Sequence, residues 1–137
     1  MSEDGIIFLH GFASSNRGEK ARFLDDKFST LESPPYYAIN FNPTAKDFTH
    51  LTITGMVNRL RQFLLDRELQ QVSLIGSSMG ALVALQYASI YKVQRMLFAA
   101  PLLYYQSLGM SEEVVSWWKD RGTMDIDHYA FPGQLPL

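Results

Sequence analysis

The chain contains no cysteine, which excludes a disulfide framework, a thiolate metal site and a thiol nucleophile. It also lacks a long hydrophobic run, because the apolar stretch at residues 5–9 is too short for a signal peptide or a membrane span. Positive charge is scattered, with 12 basic side chains against 14 acidic ones. We therefore expect no nucleic-acid and no membrane partner, and the cytoplasm as the compartment.

The 137 residues are 47% hydrophobic and 19% charged, a balance that can form one buried core. Chains of ~100–200 residues usually fold as one domain. No repeat, low-complexity tract or linker divides the sequence. We predict one domain over residues 1–137, in which residues 102–130 are a candidate cap segment.

Short β-prone apolar runs alternate with amphipathic helical patterns. Strands are predicted at residues 6–9, 36–41, 72–75 and 93–100, and helices at 17–31, 53–64 and 81–88. This alternation predicts right-handed crossovers and an α/β fold with a doubly wound parallel sheet. A polar loop is expected between the second strand and the second helix. Beyond Pro101 we predict a helix at 111–119 and then a loop to Leu137.

The motif Gly76-x-Ser78-x-Gly80 lies between a predicted buried strand and a predicted apolar helix. In this setting the motif is typical of a nucleophile elbow, in which a serine hydroxyl is exposed at the tip of a tight turn. Residues two before and two after the nucleophile must be small so that strand and helix can approach each other. Gly76 and Gly80 meet that need, and Ser78 is the predicted catalytic nucleophile.

A second motif, His10-Gly11-Phe12-Ala13, directly follows the first predicted strand. Elbow hydrolases build their oxyanion hole from the N–H after the nucleophile and from an N–H in a loop of this kind. Those donors are here Met79 and Phe12. Gly11 allows a tight turn, and His10 is expected to brace the loop by hydrogen bonds rather than to act as the base. Both loops follow parallel strands, so they should meet at one crevice.

The strings that carry a family resemblance are residues 7–15, with Leu-His-Gly-Phe-Ala-Ser-Ser, residues 20–21, and residues 75–81, with Gly-Ser-Ser-Met-Gly. Over about the first hundred residues the chain resembles the small bacterial α/β-hydrolase-fold esterases of the YqiA-like type. The resemblance implies a serine hydrolase that cleaves a small-molecule carboxylic ester or thioester through an acyl-enzyme on Ser78. No cofactor and no metal are expected.

The sequence differs from that family in the histidine and the acid of the catalytic triad. In α/β-hydrolases they follow the nucleophile on later strands, so we expect the fold to be truncated after the fourth strand. The only histidine after Ser78 is His128, a weak candidate base that Asp120 or Asp125 could orient. A solvated loop histidine is the preferred interpretation of His128, and a rim position is expected for His50.

Two alternatives therefore stay open. The chain is either an active ester hydrolase or an inactive hydrolase-fold binding module or fragment. If truncated, the strand around Leu97 and Phe98 should need a partner. The late aromatic residues either line an acyl pocket or pack on the sheet; they are Tyr104, Tyr105, Trp117 and Trp118.

Overall fold

The computed structural model describes residues 4–32, 34–101 and 111–122, and the backbone alone of residues 125–128 and 131–136. Its strands are β1 (Asp4–Leu9), β2 (Tyr36–Ile39), β3 (Gln71–Ser77), β4 (Arg95–Ala99), β5 (Asp125–His128) and β6 (Phe131–Pro136). Its helices are α1 (Glu19–Phe28), α2 (Ala45–Thr49), α3 (Ile53–Asp66), α4 (Met79–Ala88) and α5 (Glu112–Arg121).

Strands β1 to β4 form one parallel sheet in the order β2-β1-β3-β4. Successive side chains of β1 point to opposite faces. Phe8 packs with Ala21 of α1 and Ile75, whereas Ile7 belongs to the larger core cluster formed with α3 and α4. Helices thus cover both faces, which confirms the predicted doubly wound parallel α/β sheet.

Strand β4 is an edge of this sheet. Its Leu97 side chain is 61% exposed and Met96 is 40% exposed, although both are apolar. The partner expected for this strand stays a prediction.

The polar loop expected before the second predicted helix contains the short helix α2, which the sequence analysis missed. A capping box starts it: the Thr44 hydroxyl accepts from the Asp47 N–H, and the Asp47 carboxylate accepts from the Thr44 N–H. The signal was the Thr-x-x-Asp spacing, a variant of the usual box with glutamate or glutamine. Periodicity could not reveal so short a helix.

The loop expected up to Leu137 is also wrong, because β5 and β6 pair there as an antiparallel two-stranded sheet. Segments of four to six residues gain stability only by pairing, which neither segment displays on its own. β6 contacts α2. The first part of the candidate cap segment, with Tyr104 and Tyr105, lies outside the described residues.

Helix α5 agrees with the predicted helix after Pro101, and Ser111 caps it by accepting from the Val114 N–H at 3.2 Å. None of its side chains is buried, and Trp117 is 48% exposed. The alternative in which Trp117 packs on the sheet is therefore wrong. Within the described part of the chain, no helix has the length and apolarity needed to cross a membrane.

Candidate active site

The turn between β3 and α4 holds Ser78 in an unusual backbone conformation, with φ 53° and ψ −117°. Residues other than glycine rarely adopt a positive φ. Such backbone strain persists only where surrounding contacts enforce it. Here the Ser78 N–H donates to the Ala99 carbonyl at 3.0 Å, and the Ser78 carbonyl accepts from the Ala81 N–H at 3.0 Å. These bonds tie the turn to the end of β4 and to the first turn of α4.

Two glycines allow strand and helix to meet around that turn. A Cβ atom on Gly76 would lie 2.6 Å from the Ala81 Cα, and one on Gly80 would lie 2.7 Å from the Leu9 carbonyl carbon and overlap its oxygen. Real Cβ atoms essentially never come this close to backbone atoms. The two positions therefore exclude every side chain, and the start of α4 lies directly on the end of β1.

The loop after β1 lies against the turn that holds Ser78. A Cβ on Gly11 would lie 3.1 Å from the Ser78 Cβ and 3.7 Å from its Oγ, so this loop is in contact with the serine. The Ser14 N–H donates to the Gly11 carbonyl at 3.3 Å, and Ala13 has a φ of 53°, which together form a tight turn. The backbone of Phe12 lies inside this turn, next to the residue that contacts Ser78.

His10 has both ring nitrogens engaged. Its Nε2 accepts a hydrogen bond from the Phe41 N–H at 2.9 Å, so this nitrogen carries no proton. Its Nδ1 therefore bears the proton and donates to the Gly11 carbonyl at 2.8 Å. The ring is 1% exposed and packs on the Phe41 ring at 5.1 Å. In this tautomer His10 ties the loop to the segment that directly follows β2 and has no nitrogen available as a base for Ser78.

We expect the substitution His10→Ala to lower the free energy of unfolding by about 1–3 kcal/mol, because it leaves the buried Phe41 N–H without an acceptor. The matched control is His50→Ala, since His50 is exposed and bonds through Nδ1 to the Lys46 carbonyl and the Thr49 hydroxyl. That control should change stability by less than about 0.5 kcal/mol. Urea denaturation measures both; equal losses would contradict the bracing role.

A cleft of about 280 Å³ opens at Ser78. It is lined by residues that include Gly11, Phe12, Ser14, Lys20, Ser77 and Ser78. The Met79 amide is the first of α4, and the first amides of a helix have no acceptor within the helix. The structure thus brings Gly11, Phe12 and Ser78 to one cleft and puts Met79 directly after the serine.

Helix α2 supports the loop from the other side. The Phe12 ring packs at 5.6 Å on the ring of Phe48, which is fully buried. The hydrogen bond from the Thr44 hydroxyl holds the pKa of the Asp47 carboxyl below its usual value. Since Asp47 stays ionised at neutral pH, the capping box that holds Phe48 in place persists there.

Apart from His10, the one histidine whose side chain the structure describes is His50, and it does not line this cleft. His50 lines a different cleft, of about 320 Å³. The side chains of Asp125 and His128 lie outside the described residues, and Asp120 is exposed on α5. Within the described residues, no cluster of three histidines and acids could hold a metal ion. Ser14, Lys20 and Ser77 lie within the strings that carry the family resemblance, but no role was predicted for them, because only the fold brings them to one cleft.

The parallel sheet, the helices on both faces and the strained elbow after β3 define an α/β-hydrolase fold. The solved structure of alpha/beta hydrolase domain-containing protein 10 from mouse shares it, with a TM-score of 0.69 and 21% identity, covering 90% of this chain and 52% of that one. The chain belongs to the Uncharacterised protein family (UPF0227), whose sequence model matches residues 5–135. The family resemblance inferred from the two loop motifs is confirmed.

Two curated relatives carry functional names. A "Probable acyltransferase" of Methanothermobacter thermautotrophicus is 34% identical over 115 residues, covering 74% of this chain and 36% of its own length. A "Putative esterase/lipase 3" of Mycoplasma genitalium is 27% identical over 122 residues, covering 85% of this chain and 43% of its own length. The chain thus spans about two fifths of the length of these relatives.

Proposed function

We propose that this chain carries the nucleophile half of a serine hydrolase that cleaves carboxylic esters or thioesters through an acyl-enzyme on Ser78. The observation that carries the proposal is the strained turn at Ser78, held in contact with the Gly11 loop inside one cleft. Strain of this kind is found mainly at functional sites. The relatives named as an esterase/lipase and an acyltransferase support acyl chemistry of this class.

In the proposed reaction the Ser78 Oγ attacks the acyl carbon while a general base takes its proton. The carbonyl oxygen gains negative charge, and the N–H groups of Phe12 and Met79 donate hydrogen bonds to it. Each such donor typically contributes about 2.7–4 kcal/mol of transition-state stabilisation. The leaving alcohol or thiol departs with the proton, and water then attacks the acyl-enzyme to release the acid and regenerate Ser78.

The residue that acts as the general base in this reaction is still to be assigned. His10 is excluded by its tautomer, since its Nε2 accepts from the Phe41 N–H. In the sequence the only histidine after the nucleophile is His128. The hairpin that carries it contacts α2, and α2 in turn packs Phe48 on Phe12. His128 is therefore the candidate base to test within this chain.

The test is covalent labelling with a fluorophosphonate, followed by mass spectrometry to locate the adduct. We expect a single adduct on Ser78, absent from Ser78→Ala and retained in the control Ser89→Ala, whose serine is exposed at the far end of α4. A fall in labelling rate with His128→Ala to the level of Ser78→Ala would identify the base. Absence of any Ser78 adduct in folded protein would contradict the hydrolase proposal.

An inactive binding module is the second candidate. It is favoured by one observation: among the described side chains, no histidine with a free nitrogen lies in the Ser78 cleft. This candidate predicts that ligands bind in the cleft while Ser78 stays unlabelled, so the same experiment distinguishes the two.

A further inference from the structure

The walls of the Ser78 cleft are more polar than a site for a fatty acyl chain would be. Its apolar lining residues include Phe8 and Ala21, which are 3% and 1% exposed and pack into the core beneath the cleft. Phe12 is the partly exposed apolar side chain of the lining, so the apolar surface offered to a ligand is limited largely to Phe12. Ligand sites usually enclose about 300–1,000 Å³ behind mostly apolar walls, so a cleft of about 280 Å³ favours a short group.

The surroundings of the Ser77 side chain also indicate a polar ligand. Its side chain is only 5% exposed and the residue lines the cleft, yet no hydrogen bond involves its hydroxyl among the described residues. The hydroxyl oxygen is not among the fully enclosed side-chain atoms that lack a partner, so it can donate a hydrogen bond to a group bound in the cleft. Ser14 lines the same cleft, and its hydroxyl likewise has no hydrogen bond there. A ligand with oxygen acceptors would satisfy both.

Lys20 is the positively charged residue in the lining of the cleft. It lies in the first turn of α1, where the positive end of the helix dipole makes a cation unfavourable and a nearby anion favourable. No carboxylate among the described residues forms an ion pair with it. Glu19 lies on the same rim with opposite charge, so the rim suits a singly charged carboxylate better than a doubly charged phosphate.

We propose that the part of the substrate bound in this cleft is short and ends in a carboxylate, which Lys20 binds while the hydroxyls of Ser14 and Ser77 donate hydrogen bonds to its oxygens. This inference rests on the proposed function, because it assumes that the cleft at Ser78 receives the ester. It assigns the protein to esters of short dicarboxylic acids rather than to long-chain lipids.

The test measures binding by NMR chemical-shift titration of the full chain, which needs no turnover. The probes are monomethyl succinate, which is anionic, dimethyl succinate, which is its neutral counterpart, and octanoate, which is anionic but long. We expect saturable shifts at the amides of Gly11, Ser14, Lys20 and Ser78 with monomethyl succinate. The other two probes should bind at least about tenfold more weakly, dimethyl succinate because it loses the charge-assisted contact and octanoate because its chain is too long for a cleft of about 280 Å³.

Two variants make the test specific. Lys20→Met should weaken binding about ten- to a hundredfold, whereas Lys27→Met, which removes the same charge from the same helix, should leave it unchanged. Lys27 lies over the Phe23 ring at 5.5 Å and does not line the cleft. Ser77→Ala should weaken binding without lowering the melting temperature, since its hydroxyl has no hydrogen bond to lose within the described part.

Equal affinity for the neutral diester, equal weakening by Lys27→Met, or shifts confined to residues outside the cleft would each overturn the inference. Its failure is distinguishable from failure of the proposed function. Fluorophosphonate labelling of Ser78 without selective binding of the anion would leave the hydrolase proposal standing and remove the carboxylate specificity. Lys20-dependent binding with an unreactive Ser78 would support the carboxylate specificity of the cleft and contradict the hydrolase proposal.

Discussion

Gly80→Ala is expected to prevent stable folding, with a loss of about 3 kcal/mol or more in the free energy of unfolding. The added methyl group would overlap the carbonyl oxygen of Leu9 and lie 2.9 Å from that of His10. These are backbone atoms at the end of a central strand, which cannot turn aside as a side chain could. The helix would have to move away from β1, and the Ser78 turn and the His10 loop would separate.

The matched control is Gly5→Ala at the other end of β1. There the nearest atom to an added Cβ is a Leu69 methyl carbon at 3.2 Å, which can shift by rotation of its side chain. We expect a change of less than about 1 kcal/mol. Urea denaturation followed by circular dichroism measures both variants. A Gly80→Ala protein as stable as Gly5→Ala would show that α4 does not lie on β1 as described.

Ser78→Gly should make the protein more stable while it abolishes fluorophosphonate labelling. The φ of 53° and ψ of −117° at this position cost of order 1–3 kcal/mol for a residue with a Cβ, whereas glycine adopts such angles readily. Part of this gain is offset because glycine loses more backbone entropy on folding. We expect a net stabilisation of about 1 kcal/mol relative to Ser78→Ala.

The comparison with Ser78→Ala separates chemistry from strain, since alanine removes the hydroxyl but keeps the Cβ. Both variants should be unlabelled, and only the glycine variant should gain stability. Thermal denaturation at one protein concentration gives the difference directly. If Ser78→Gly were no more stable than Ser78→Ala, the turn would not be strained, and the main structural support for Ser78 as the proposed nucleophile would be lost.

Much of the fold could be predicted because its signals are local. The run around Ile7 and Leu9 is apolar without alternation, as expected for a strand covered on both faces, and the structure buries both side chains completely. The predicted apolar stripe of α3 likewise includes its four buried residues, Met56, Val57, Leu60 and Leu64, and two that are partly buried, Ile53 and Phe63. Helix α2 and the β5–β6 hairpin were missed, since a five-residue helix depends on its cap and a strand depends on its partner.

The candidate site likewise has features that the sequence predicts and features that only the structure shows. The motifs around Ser78 and His10 can be recognised in the sequence because each needs glycine at a fixed spacing. The tautomer of His10 is determined by the hydrogen bond that it accepts from the Phe41 N–H. This bond joins residues 31 positions apart, and no sequence pattern predicts it. The same holds for Lys20 and Ser77, which share a cleft although they are far apart along the chain.

The amino-acid sequence by itself determined the class of fold, the identity of the elbow serine and the two loops that meet there, because hydrophobic periodicity and glycine spacing are properties of short segments. Only the tertiary structure decided that Gly80 lies on the Leu9 carbonyl, that His10 has no free nitrogen and that the cleft is small and polar. Those features arise where distant segments come into contact, and the packing of whole elements sets their distances.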